Sequence, residues 1–110
     1  MKIMWFSRHE LSSPQKEDLE RIYGVNLIIN QVNKTISSAK ELTEEINLSD
    51  VVAIVAPPLQ QEFLQLCGMD KPLIFCKNGR IVDPIDNSKV QFVHQGWFRI
   101  KEIRTIYEPL

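Results

Sequence analysis

Ser7-Arg8-His9 places a hydroxyl, a permanent cation and an imidazole that titrates near neutrality on consecutive residues, directly after an apolar run. These types suit phosphate chemistry: Arg8 clamps a phosphate, Ser7 donates to one of its oxygens, and His9 transfers protons. The competing reading makes Arg8 and His9 partners of Glu10, or of acids on the next helix, in surface ion pairs. Asn33-Lys34-Thr35 offers a second cation and hydroxyl, or an ordinary solvated loop. Pro57, Gln60 and Gln61 make a third polar group, in which a glutamine either faces a ligand or lies exposed on a helix. His94, beside Val93 and Gln95-Gly96, reads as a hydrogen-bonded strand residue. Trp97 and Phe98 read as core, although Trp5 and Trp97 are also able to stack on a base.

Other chemistries lack their residues. The sequence has no GxGxxG after its first strand, no P-loop and no G-x-S-x-G elbow. Two histidines without an H-x-x-x-H or Cys/His cluster give no reason to expect a metal site, and no cofactor is expected. Cys67 and Cys76 lie in apolar runs without C-x-x-C spacing and read as buried thiols of a reduced compartment.

The elements that must position these groups begin with a strand over Met1–Phe6. Ser12 or Ser13 caps a helix with Pro14 at its start; Leu19, Ile22 and Tyr23 recur at helical spacing, and Gly24 ends it. A strand over Val25–Asn30 and a polar loop over residues 31–35 follow. Ser38 and Glu41 form a capping box before a short helix carrying Leu42, Ile46 and Leu48. The run from Val51 to Ala56 is apolar throughout, as a strand buried on both faces must be. After Pro57-Pro58 a helix spans Leu59–Cys67, then a strand Leu73–Cys76. Asn78-Gly79 predicts a hairpin, and Gln95-Gly96 a second turn before a strand through WFRIKEIRTIYE.

Alternating strands and helices predict βαβ units, hence one α/β domain over residues 1–110: a Rossmann-like, three-layer fold with a mainly parallel sheet and antiparallel C-terminal strands. In such sheets ligands bind beyond the carboxyl ends of the strands, where all three polar clusters fall. Two of the clusters lead into helix N-termini, which favour anions.

With 44% hydrophobic and 25% charged residues in 110, the composition excludes intrinsic disorder and leaves no room for a second lobe. The net charge of −1 combines −4 over residues 1–70 with +3 over residues 71–110, which argues against a long nucleic acid as partner but allows a small anion. No apolar run is long enough for a bilayer, and MKIMWFSRHE lacks a signal-peptide core, so the expected setting is cytoplasmic and without a membrane partner.

Trp5-Phe6-Ser7-Arg8-His9 closing the first strand, Asp50-Val51-Val52 entering the third, Pro57, Leu59-Gln60 and Leu66-Cys67-Gly68 together resemble small CARF-like CRISPR-associated ring nucleases. His9-x-Leu11-Ser12-x-x-Gln15 is similar to a related small ring-nuclease group. The resemblance covers roughly the first 70 residues. Beyond residue 75 the sequence departs from the family's ending. It implies a CARF-like fold in a homodimer that binds a cyclic oligoadenylate across its two-fold axis and cleaves it without metal for antiviral defence. Ser7, Arg8 and His9 would be catalytic, with Asn33, Lys34, Thr35, Pro57, Gln60 and Gln61 around the ligand. Two further readings stay open: a non-catalytic sensor or sponge, and a protein–protein interaction accessory of a mobile element.

Overall fold

The computed structural model describes every residue but Asn87 and Thr105, and of Phe92 the backbone alone. In chain order, the elements are β1 (Lys2–Phe6), α1 (Ser13–Tyr23), β2 (Ile28–Val32), a 3-10 turn (Ala39–Leu42), α2 (Thr43–Asn47) and β3 (Val51–Ile54). A second 3-10 turn (Pro57–Leu59), α3 (Gln60–Cys67), β4 (Leu73–Val82) and β5 (Val90–Arg99) complete the chain.

One mixed sheet runs β2-β1-β3-β4-β5. The first four strands are parallel, and β5 is antiparallel to β4. Side chains alternate across the pleat and feed two cores. Ile3, Trp5, Val51, Ala53 and Ile74 face α1 through Leu19. Met4, Val52, Ile54 and Leu73 face the opposite helical layer through Leu42, Ile46, Phe63 and Cys67. Every residue of β3 is buried, as its apolar run requires.

Local signals set the helix ends. Ser12 caps α1: its hydroxyl accepts from the Gln15 N–H at 3.3 Å, and the Gln15 side chain accepts from the Ser12 N–H at 2.9 Å. The Glu41 carboxylate accepts from the N–H groups of Ser37 and Ser38 at 2.6 and 3.0 Å. Those two bonds, led by the one from Ser38, hold its carboxyl below the usual range. Ser38 Oγ donates to Glu62 Oε1 at 2.7 Å and so ties this turn to α3.

Several boundaries differ from expectation. β2 lies three residues later than Val25–Asn30 at its start and takes in Gln31 and Val32, because it pairs with β1 from Lys2↔Ile28 to Phe6↔Val32. As an edge strand it tolerates polar residues. β3 stops at Ile54, leaving Val55 exposed.

Asn78-Gly79 is not a turn; it lies within β4, paired across β5 with His94 and Val93. Gln95-Gly96 is not a turn either but a β-bulge: Lys77 pairs with Gly96 and Asn78 with His94, leaving Gln95 as the extra residue. The bulge needs both glycines. Gly96 has φ +150°, and a Cβ on Gly79 would run into the Gln95 side chain. The reversal occurs between the end of β4 at Val82 and the start of β5 at Val90, where Asn87 lies outside the described residues. There Asp83 Oδ1 accepts from the Ile85 and Asp86 N–H groups, and Asp86 Oδ1 accepts from Ser88.

Only Leu73 and Ile74 of β4 pair with β3; Cys76, His94 and Trp97 lie against α1, and the ladder beyond them continues as a two-stranded arm. The radius of gyration, 16.0 Å, exceeds the about 13 Å of a compact chain near this length. The expected last strand ends at Arg99, and residues 100–104 and 106–110 lie outside any helix or strand; Thr105 is outside the described residues. No helix among the described residues is long and apolar enough to cross a membrane.

Phe63 is fully buried in the core and meets Phe6 at a ring separation of 5.5 Å. Phe63→Ala is expected to cost about 3–5 kcal/mol in chemical denaturation. Ser38→Ala should cost about 1 kcal/mol by loss of the cap.

Candidate functional site

β1 pairs with β2 on one side and β3 on the other, and α1 covers the sheet face opposite to α2 and α3. Where successive connections depart in opposite directions, the carboxyl ends of adjacent strands leave a crevice. A cleft of about 340 Å³ lies there. Phe6, Ser7, Arg8 and His9 enter it from the end of β1; Val32, Lys34, Thr35 and Ile36 from the end of β2; Val55, Ala56 and Leu59 from the end of β3.

The segment after β1 is held by its own backbone. The His9 carbonyl accepts from Trp5 Nε1 at 2.8 Å and Gln31 Nε2 at 3.1 Å, and the same Gln31 amide donates to the Ser7 carbonyl at 3.0 Å. Ser7 Oγ accepts from the His9 N–H at 3.1 Å, which leaves the hydroxyl proton free to donate outward. Arg8 Nη2 donates to Thr35 Oγ1 at 3.3 Å and so bridges the ends of β1 and β2.

Electrostatically the cleft is one-sided. Its lining includes Arg8, Lys34 and His9 but neither Asp nor Glu. Among the described residues Arg8 and His9 make no ion pair, so the partnership with Glu10 or helix acids is not what this fold forms. Lys34 Nζ stands 4.0 Å from Glu45 Oε1, an exposed and weak pairing.

Five expected site residues thus meet: Ser7, Arg8, His9, Lys34 and Thr35. Asn33, Pro57, Gln60 and Gln61 are near in sequence but do not line the cleft. The expected help from helix N-termini is also missing. The start of α1 is satisfied by the Ser12–Gln15 box, and the 3-10 turn ahead of α3 opens with Pro57 and Pro58, which carry no N–H. The cleft therefore relies on side chains. Among the described residues no group of three or more His, Cys, Asp or Glu side chains is arranged to hold a metal ion.

Compared with known protein families, curated proteins and solved structures, the chain finds no match. The cleft sets two cations and two hydroxyls on a partly apolar crevice, a donor set chemically able to hold a phosphate group. Sequence reasoning missed Gln31, which organises the segment; the signal lay in the continuation of β2 to Val32.

Gln31→Ala should speed amide hydrogen exchange at residues 7–9, with little change in melting temperature, because Gln31 is exposed and buries no apolar group. Unchanged exchange there would mean that the Trp5 bond alone holds the segment.

Proposed function

We propose that the chain binds a phosphate-bearing nucleotide in the strand-end cleft, and that its ligand is a cyclic oligoadenylate. The observation that carries this reading is the convergence of Arg8, Lys34, Ser7 and Thr35 from two strand ends on a cleft lined by no acidic residue. The strand order 2-1-3-4-5, with helices on both faces, supports a Rossmann-like, CARF-like assignment, although the reversed β5 departs from an all-parallel sheet.

At about 340 Å³ the cleft is at the small end for ligand pockets, well below what a ring of several nucleotides needs. A two-fold homodimer resolves this, since each copy would hold one part of a symmetric ring. In the catalytic version a ribose 2′-hydroxyl attacks its adjacent phosphate and leaves a 2′,3′-cyclic phosphate and a 5′-hydroxyl. Because the nucleophile belongs to the ligand, the protein need only align it and stabilise charge. Arg8 would hold the phosphate, Ser7 orient it and His9 move the proton. The sensor or sponge uses the same cleft without turnover.

Incubation with cyclic tetra- and hexa-adenylate in EDTA, with products resolved chromatographically, tests the reading. Arg8→Ala should weaken binding about 10- to 100-fold, the range for a lost charge-assisted contact. Intact rings with tight binding would select the sensor or sponge. No binding at micromolar protein would overturn both and leave the interaction accessory, for which the projecting arm offers the surface.

A further inference from the structure

A second cluster lies on the sheet face covered by α1, away from the strand-end cleft. Cys76 of β4 places Sγ 2.9 Å from His94 Nδ1 of β5. His94 Nε2 in turn lies 2.9 Å from Asp18 Oδ2 of α1. The Asp18 and His94 side chains are only 18% and 10% exposed, so this is a shielded pair. Hydrogen bonds from His94 and Arg21 hold the Asp18 carboxyl below its ordinary range, and the carboxylate is ionised. An ionised carboxylate accepts only, so Nε2 carries a hydrogen, and the neutral form of the ring is the tautomer whose Nδ1 lone pair faces Cys76. That is the nucleophile–base–orienter order of covalent catalysis. Sγ and Oδ2 sit on opposite nitrogens of one imidazole and cannot share a metal ion.

We propose that Cys76, His94 and Asp18 form a nucleophilic centre for acyl transfer from an uncharged ester or amide. Burial pushes the Cys76 thiol up, with the Asp18 charge acting the same way against the Gln15 hydrogen bond, so the resting thiol is protonated and needs a base. His94 is that base. Gln15 Nε2, 3.4 Å from Sγ, is a donor placed beside the attacking atom, where charge develops on a carbonyl oxygen. An adjoining cleft of about 360 Å³ is reached by Gln15 and His94, with Cys76 behind them rather than in its lining; Asn78, Gln91 and Val93 also line it, and no carboxylate, lysine or arginine does. This is why the substrate class is uncharged.

In the first step Sγ bonds to the acyl carbon, the S–H proton passes to Nδ1, and the carbonyl electron pair moves to oxygen. Collapse expels the alcohol or amine, which takes the proton from His94, and leaves a thioester on Cys76. Water then adds to that carbon, giving a proton to His94. Collapse releases the carboxylic acid, and the proton returns to Sγ. Asp18 is a positioning residue throughout.

The test is acylation of the full chain by p-nitrophenyl acetate, read by nitrophenolate release and by peptide mass mapping. The expected adduct is on Cys76 and not on the core residue Cys67, at a rate well above that of a free cysteine at the same pH. His94→Ala should lower that rate about 100-fold or more, with part of it restored by added imidazole. Asp18→Asn should lower it while a cooperative thermal transition remains. Acylation of the wild-type chain no faster than free cysteine would overturn the proposal whether or not the variants fold, as would a His94→Ala rate equal to wild type. Neither outcome bears on ligand binding in the strand-end cleft.

Discussion

Val51–Ile54 are covered on both faces and, through β1 and β4, paired on both edges, so this short strand must be apolar at every position. Its placement forces the chain to reach past β1 after β2, and that crossing puts α1 on one face and the later helices on the other. The cleft is a consequence of this topology. The connection from β1 leaves toward β2 and that from its neighbour β3 leaves toward β4, in opposite directions, and Ser7–His9 emerge at that divide.

What was legible in the sequence was what is encoded locally. Ser12 and Pro14, Ser38 with Glu41, and the β-branched run after Asp50 each fix an element through bonds or burial within a few residues. Because parallel strands share one direction, locating their ends also located Arg8, Lys34 and Thr35 together. Asn78-Gly79 misled because a turn preference is weak beside the pairing of a ten-residue ladder, and because Gly79 serves instead to admit the Gln95 side chain at the bulge. Gln60 and Gln61 stand off the cleft because Pro57–Leu59 spends one turn before α3 begins.

The Cys76–His94–Asp18 cluster was beyond any spacing rule. Its members come from α1, β4 and β5, and Asp18 is 76 residues from His94. Only the antiparallel return of β5, shifted by one residue at Gln95, sets His94 on the same face as Cys76 and opposite α1. Without the bulge the side-chain alternation beyond it would reverse, and His94 would point away from Asp18.

The two sites share one aromatic support. Trp5 and Trp97 meet edge to face at 5.7 Å. Trp5 Nε1 holds the His9 carbonyl, and Trp97 Nε1 holds the Gln15 carbonyl at 3.0 Å. One indole thus shapes the segment after β1, while the other fixes the first turn of α1, from which Gln15 and Asp18 reach Cys76 and His94. Their electrostatics nevertheless separate them. In the strand-end cleft Arg8 has no ion-pair partner among the described residues, whereas the Asp18 charge is already met by His94 and Arg21. On the two proposals, a ligand drawn to the first by its phosphates would find no charge partner at the second, so one scaffold would carry two chemistries without competition between their ligands.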